Sequence, residues 1–469
     1  MFGSFSQRVI NMNDWFKLYL SGRRFHKSLI LSIVLVAIGL IVLNFMLISE
    51  DKNPHYKSNE ELEYEYASEM DDYDPSSFSI LIKSKAWYLK NGTRYPESAS
   101  ISRHDTALLP FEKSDNDRIL NQLMFIPPNY NPKNIKTILV NNGYPYWFGL
   151  KEEAQKMVGD PPFWWKQQKS EDIFKDLKCP VDACRITDNK KERQSADLVF
   201  FLDSYEHTNE TRPANQLYAL HHMESAMGTN PFDYPDVFNW TITYRHDSII
   251  TTPYNKWVYY NPRIKQMEQS KNFAAHKTKK VAWFVSNCWP FNNRNQYAAE
   301  LNQYIPVDIY GNCGTMHCPL SDEEKCHHIL DDDYKFYLAF ENANCKNYIT
   351  EKFFTTGLGH DVIPIVMGST PEDYEKYAPL RSFIHVDHFK SPKELAEYLH
   401  ILDQNDDLYN SYFKWKGTGE FIPNWAYFWC RICALLHDDH TMSTKHWYKD
   451  INEWWRGPGI CTKGSWRQA

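Results

Sequence analysis

Residues 334–368 read YKFYLAFENANCKNYITEKFFTTGLGHDVIPIVMG, the densest gathering of chemically capable side chains in the chain. The spacing predicts an apolar strand over 335–340 that ends in Glu341 and Asn342, then a polar loop. Thr350 follows as N-cap of a helix over 351–359, and a second apolar strand over 362–367 ends at Gly368. Strand ends and helix N-termini of open α/β sheets are where nucleotides sit, because free backbone N–H groups favour anions there. Lys352 would then face a diphosphate, Glu351 would take ribose hydroxyls, and Tyr348 would stack on or bond the nucleoside. On the residues alone, Glu351 and Lys352 serve equally well as solvated residues of a first helical turn.

Two groupings invite a metal reading. Asp331, Asp332 and Asp333 look like the D-x-D of metal-dependent glycosyl transfer. They precede a strand rather than end one, which fits a helix terminus or turn carrying solvated charge. His437, Asp438, Asp439 and His440 offer imidazole and carboxylate ligands, but in a polar C-terminal region. Among ten cysteines there is one CxxC, at Cys430 and Cys433, and no second to complete a zinc set. Disulfides in an oxidising compartment compete with that reading. Sequons at Asn91, Asn209 and Asn239 point the same way, although Asn239 is read as lying inside a predicted strand.

The elements that must position these groups are short, apolar, β-branched runs over 137–140, 198–202, 217–223, 240–244, 281–285, 307–310, 336–340, 362–367 and 383–386. Such runs read as strands buried on both faces of parallel sheets. Helical patterns over 293–304, 351–359, 371–377 and 393–403 alternate with them, which is α/β organisation. A polar stretch over 253–279 reads as a linker, dividing a first α/β domain (100–255) from a second (275–430), with a tail over 431–469. A chain of 469 residues accommodates two domains plus extensions. The net charge of −7 excludes a broadly basic nucleic-acid-binding surface, and no nucleic acid is expected as partner.

Residues 28–48 carry no charge, and about 21 residues span a bilayer core of about 30 Å. Arg8, Lys17, Arg23, Arg24 and Lys27 precede them against one acid, Asp14, so residues 1–27 are expected in the cytosol and the rest beyond the membrane. The acidic, polar run over 51–77 cannot build a core and reads as a stem within an entry segment over 49–99.

The 334–368 stretch resembles the signature of the α1,3-fucosyltransferase family: an aromatic strand, F-E-N, Y-[IV]-T-E-K, then V-x-P-[IV]-V-x-G. Upstream, His222, Met223, Glu224 and Ser225 are similar to the family's M-E-S-P block. Tyr244, Arg245, His246, Asp247 and Ser248 are similar to its Y-R-x-D-S-D block, and residues 283–287 followed by Arg294 match as well. Ala226 replaces the usual Pro, and Ile249 replaces the last Asp; neither removes the charged groups at issue. The resemblance covers residues 135–435.

It implies a GT-B-like α/β fold of two Rossmann-like domains facing a cleft, preceded by one transmembrane helix and a stem. It implies transfer of L-fucose with inversion from GDP-β-L-fucose to N-acetylglucosamine of a glycoprotein glycan, from a single-pass Golgi membrane protein. Glu224 would be the general base; Arg294 and Lys352 would contact phosphate; Asn342, Tyr348 and Glu351 would bind the donor; Arg245 would be a further cleft residue. Glu224 on its own could equally cap or pair at a strand end. No metal is expected to be essential, a divalent cation being at most stimulatory, since Arg294 and Lys352 can offset the leaving group's charge. Cys430 and Cys433 would bridge Cys179 and Cys184 in an order left open, and the other six cysteines stay unassigned. The acceptor leans toward the innermost N-acetylglucosamine, on the extra cysteines over 288–345 and the entry over 141–148. The alternatives are a Lewis-type antenna enzyme and a catalytically silent GDP-sugar or glycan binder. A metal-dependent transferase of another sugar, using Asp331–Asp333, is a further alternative.

Overall fold

The computed structural model describes residues 85–95, 107–112, 117–141, 173–318, 323–422, 424–444 and 446–468. The apolar run over 28–48, the stem and most of the entry over 141–148 lie outside the described residues. No helix among the described residues is long and apolar enough to cross a membrane.

Two parallel sheets dominate the compact unit Ser76–Ala469. The first contains β1 (Lys136–Val140), β2 (Cys184–Thr187), β3 (Leu198–Leu202), β4 (Leu217–His222), β5 (Trp240–Thr243) and β6 (Ile250–Thr251), in the order β2-β1-β3-β4-β5-β6. An antiparallel ribbon pairs β7 (Lys256–Tyr259) with a later strand described below. The second sheet contains β8 (Lys279–Phe284), β9 (Val307–Tyr310), β10 (Tyr334–Phe340), β12 (Ile363–Met367) and β13 (Ile384–His385), in the order β13-β12-β10-β8-β9. Between β10 and β12 lies β11 (Asn344–Cys345). Every residue of β10 is buried, as expected for a strand sandwiched between parallel neighbours. The order in the second sheet reverses between β8 and β10, so the ligand crevice of this sheet type opens at the carboxyl ends of those two strands.

Helices cover the sheets for readable reasons. Ser391 caps the helix Pro392–Gln404 by accepting from the Glu394 amide, and proline opens it; Leu395, Ala396, Leu399 and Leu402 then form its buried face. Thr370 caps Pro371–Tyr377 in the same way.

Three local expectations are corrected. The linker over 253–279 contains β7, which pairs antiparallel with β14 (Gly419–Ile422) and so ties the two halves together. Strand β2 was too short and polar at its ends to read as a run. The region over 431–469 is more than a tether: Tyr448, Ile451 and Trp455 are buried, and Trp455 packs on His222 and Tyr244.

All ten cysteines pair. Cys179 bridges Cys430 and Cys184 bridges Cys433, with Cα separations of 5.2 and 5.9 Å, so the helix Asn424–Leu436 is fastened to the first sheet. The remaining pairs are Cys288–Cys313, Cys318–Cys326 and Cys345–Cys461. The last joins β11 to β15 (Cys461–Thr462).

The sequons separate by hydrogen bonding. Asn91 and Asn209 are exposed. The Asn239 amide donates to the His446 carbonyl at 3.1 Å and accepts from the Tyr218 amide at 3.0 Å and from Arg212. A glycan cannot be linked to a side chain held this way without unfolding the edge of β5. Peptide mass mapping of secreted-pathway material should therefore find glycan at Asn91 and Asn209 and none at Asn239.

Candidate active site

The carboxyl ends of the two sheets meet. Glu224 lies two residues beyond β4, exposed, on a turn closed by the Gly228 amide donating to the Ser225 carbonyl at 3.0 Å. Its Oε1 accepts from the Ser225 amide at 2.7 Å and from the Tyr348 hydroxyl at 3.0 Å. Tyr348 comes from the loop after β10, so this contact spans the two sheets. Burial pushes the Tyr348 phenol well above its ordinary range, so the proton in the contact belongs to the tyrosine and Glu224 is the acceptor. Among the described residues no donor reaches Oε2. A Cβ at Gly228 would come within 2.9 Å of Oε1 and 3.0 Å of Cγ, so only glycine leaves the carboxylate its place.

The switch-point crevice is built from the other sheet. Lys352 donates to Thr350 Oγ1 and Glu351 Oε1, both at 2.9 Å, and lies 3.3 Å from Glu341 Oε2. Glu341 is fully buried at the end of β10 and also accepts from the Thr350 amide at 2.7 Å. Burial pushes the Glu341 carboxyl above its ordinary range, with Lys352 pulling against that shift. Burial in turn works against the Lys352 charge, but Glu341 and Glu351 more than offset it and hold the ammonium above an ordinary lysine. Lys352 is thus a fixed cation, oriented by a carboxylate beneath it. A Cβ at Gly368 would meet Glu341 Cγ at 2.6 Å, which explains glycine at the end of β12.

Two expectations about this segment are corrected. The turn after Glu351 is a π-helical segment, Lys352–Gly357, rather than an α-helix. Gly357 permits it, since a Cβ there would press on Pro364 at 2.9 Å. Thr350 does not cap it, because its hydroxyl bonds both oxygens of Glu341 at 2.9 Å. The buried carboxylate takes priority over the cap.

Arg294 opens the helix Arg294–Leu301 and is buried. It donates to the Phe340 carbonyl at 2.9 Å and the Asn287 carbonyl at 2.7 Å, clasping the ends of β10 and β8. Among the described residues its Nε has no partner, nor has the buried Oδ1 of Asn342, which sits on the same strand end. A buried polar atom without a partner costs about 1–3 kcal/mol, so a donor and an acceptor stand unsatisfied at the crevice. Glu351 is exposed beside Lys352.

Arg245 is not brought to this group. It is buried, paired through Nε with Asp247 at 2.9 Å and lying 4.3 Å over the Trp454 ring, so it anchors the C-terminal segment. Ile249, where the family motif ends in Asp, is core. Several members of the metal groupings are also otherwise engaged. Asp331 binds His360 at 2.8 Å and the Asp361 amide at 2.7 Å, and Asp333 pairs with Lys279 at 2.9 Å. Asp438 caps a turn through Thr441. Cys184, Cys433 and His437 lie close together, but the two sulfurs form a disulfide and His437 Nε2 is 3.0 Å from the Ala183 carbonyl.

Sequence reasoning gave no role to Glu341, although it sits in the F-E-N motif; an acid closing a wholly apolar strand was the available signal. It also passed over Trp289. That indole is 90% exposed, on a loop fastened by Cys288–Cys313 and joined to Asn342 through the Phe291 amide at 2.8 Å. The disulfide and that bond fix the loop carrying this tryptophan beside the end of β10.

The model of the glycosyltransferase family 10 (fucosyltransferase) C-terminal domain matches residues 274–454, and that of the fucosyltransferase N-terminal domain matches residues 161–255. Glycoprotein 3-alpha-L-fucosyltransferase A of Drosophila melanogaster is 51% identical over 396 residues, covering 82% of this chain and 75% of the relative. The human 4-galactosyl-N-acetylglucosaminide 3-alpha-L-fucosyltransferase FUT6 is 35% identical over 273 residues, covering 56% and 73%. A crystal structure of an alpha1,3-fucosyltransferase with GDP aligns at a TM-score of 0.41 and 19% identity, covering 66% of this chain and 93% of that one. The chain belongs to the glycosyltransferase family 10 fucosyltransferases.

Proposed function

We propose that the protein transfers L-fucose from GDP-β-L-fucose, with inversion, to the 3-hydroxyl of N-acetylglucosamine on glycoprotein glycans. The observation that carries the reading is the meeting of Glu224, from the first sheet, with the Lys352 and Arg294 crevice of the second, bridged by Tyr348. An inverting transfer needs one base on the acceptor hydroxyl and help for the departing diphosphate. Glu224 Oε2 takes the hydroxyl proton as the acceptor oxygen bonds to the anomeric carbon. The bond from that carbon to the GDP oxygen breaks, and Lys352 and Arg294 stabilise the charge left on the diphosphate. Lys352 acts as a point charge and Arg294 through its remaining N–H groups. Asn342 and Glu351 receive hydroxyl or amide donors of the donor substrate. The cations supply the charge that a metal would otherwise bring, so no metal is essential.

The acceptor is proposed to be the innermost N-acetylglucosamine of N-glycans. What supports this over an antenna is the difference between 51% identity to a glycoprotein-directed relative and 35% to a galactosyl-N-acetylglucosaminide-directed one. The same proposal places the protein in the Golgi membrane, anchored by residues 28–48 with the catalytic part lumenal and arranged as a GT-B pair. The apolar run and the fully paired cysteines support that placement.

Detergent-purified full chain, given GDP-fucose, EDTA and two N-glycans, tests acceptor and metal together. One glycan has a bare core and the other galactose-capped antennae. Fucose is expected on the proximal N-acetylglucosamine, at a rate unchanged by EDTA. Fucose on the antenna alone moves the acceptor to Lewis type, and activity that returns only with a divalent ion removes the metal-free mechanism.

A further inference from the structure

A cleft of about 990 Å³ opens at the opposite end of the first sheet from Glu224. It is lined by residues at the amino ends of β1, β3, β4 and β5, among them Lys136, Asp197 and Leu217. Leu217 begins β4 and Glu224 lies seven residues further along, just past the other end of the strand, so the cleft lies about 20 Å from the base.

Its chemistry is specific. Three exposed amides, Asn131, Asn134 and Asn215, line it together with the carboxylate of Asp439. His446 adds a buried Nε2 that has no partner among the described residues. Trp447 stands at the wall, 57% exposed. The cations in the wall are engaged: Lys136 pairs with Asp197 at 3.2 Å, and Arg212 donates to the Gln216 carbonyl at 2.7 Å and the Val237 carbonyl at 2.9 Å. The Arg212 charge remains, but most of its N–H groups are aimed at protein oxygens, which leaves a phosphate or sulfate few donors here. Planar amides offer a donor and an acceptor in one plane and a carboxylate offers two acceptors, which suits hydroxyl pairs, and an exposed indole suits the C–H face of a pyranose ring.

We propose that this cleft is a second carbohydrate site, one that holds a neutral branch of a glycan while another part of it, or a neighbouring chain, is worked on at Glu224. The proposal rests on the glycan-directed reading above. Its consequence is avidity: a branch held in the cleft raises the effective concentration of the acceptor hydroxyl without a new contact at the active site.

The test uses the full chain in a detergent without a sugar headgroup, with α-mannopentaose as probe, since it carries no N-acetylglucosamine to engage the catalytic site as acceptor. Saturation-transfer NMR should show binding that Trp447→Ala weakens about tenfold. GDP binding and transfer to a minimal acceptor should stay unchanged in that variant, while kcat/KM for a branched glycoprotein glycan falls. Asn215→Ala, at an exposed position, should weaken the probe in the same direction. No binding by the wild type at 10 mM probe, about the weak limit for a single site, or equal binding by Trp447→Ala, overturns the second site. Binding that depends on Trp447 in a protein that transfers no fucose keeps the site and removes the catalytic reading instead.

Discussion

Glu224→Gln is expected to lower kcat/KM for fucosyl transfer by about 10²–10⁴ while leaving the affinity for GDP within about twofold. The replacement is nearly isosteric. A glutamine Oε1 still accepts from the Ser225 amide and the Tyr348 hydroxyl, so the turn and the contact between sheets persist. What disappears is the proton acceptor at the second oxygen. A variant that merely lost a strand-end contact would show a lower melting temperature and a modest change in rate. Steady-state kinetics with thermal melting separates these outcomes, and a fall of less than about threefold in a folded variant removes Glu224 as base.

Lys352→Ala is expected to have two effects with different signatures. Loss of one preorganised charge at the departing diphosphate lowers kcat by about 10²–10³. Stability also becomes dependent on pH in a defined direction. Burial already raises the Glu341 carboxyl, and Lys352 is the group pulling it down. Without the lysine, the folded protein binds a proton at Glu341 over a range of pH where the unfolded chain has lost it. Stability then falls as pH rises from the ordinary carboxylate range toward the raised value, because the folded state holds more protons. Melting temperatures at pH 5 and pH 7.5 should therefore show a larger loss from Lys352→Ala at pH 7.5. An equal loss at both values means that Glu341 stays ionised and is satisfied by Thr350 alone.

The parts of this site that were legible share a physical cause. Strands such as Tyr334–Phe340 and Ile363–Met367 are buried on both faces, so their apolar runs stand out and fix where polar residues must emerge. Glu341, Asn342 and Arg294 accordingly lie at strand ends or at the helix start, as the runs implied. The legible parts end where long-range partners decide. Thr350 looks like a cap in sequence, but a buried carboxylate nine residues earlier claims its hydroxyl. Arg245 looks like a cleft cation, yet Trp454 and Asp247 enclose it from 209 and two residues away. Strand β7 hides in a polar stretch because its pairing partner, Gly419–Ile422, lies far along the chain.

The cysteines show the same division. Their number was readable, and the resemblance supplied the partners Cys179, Cys184, Cys430 and Cys433. The order within that set depends on the geometry of the helix Asn424–Leu436. Cys430 and Cys433, three residues apart, share one face of it and meet the two ends of a short segment leading into β2.

The stereochemistry of the new bond tests the central claim most directly. GDP-β-L-fucose and a core N-glycan acceptor would be incubated with the full chain, and the anomeric proton of the transferred fucose read by NMR before any rearrangement. A single base at Glu224, facing a diphosphate held by Lys352 and Arg294, predicts inversion and an α-linked fucose on the 3-hydroxyl. A β-linked product would mean retention and a mechanism that this pair of facing sites does not perform.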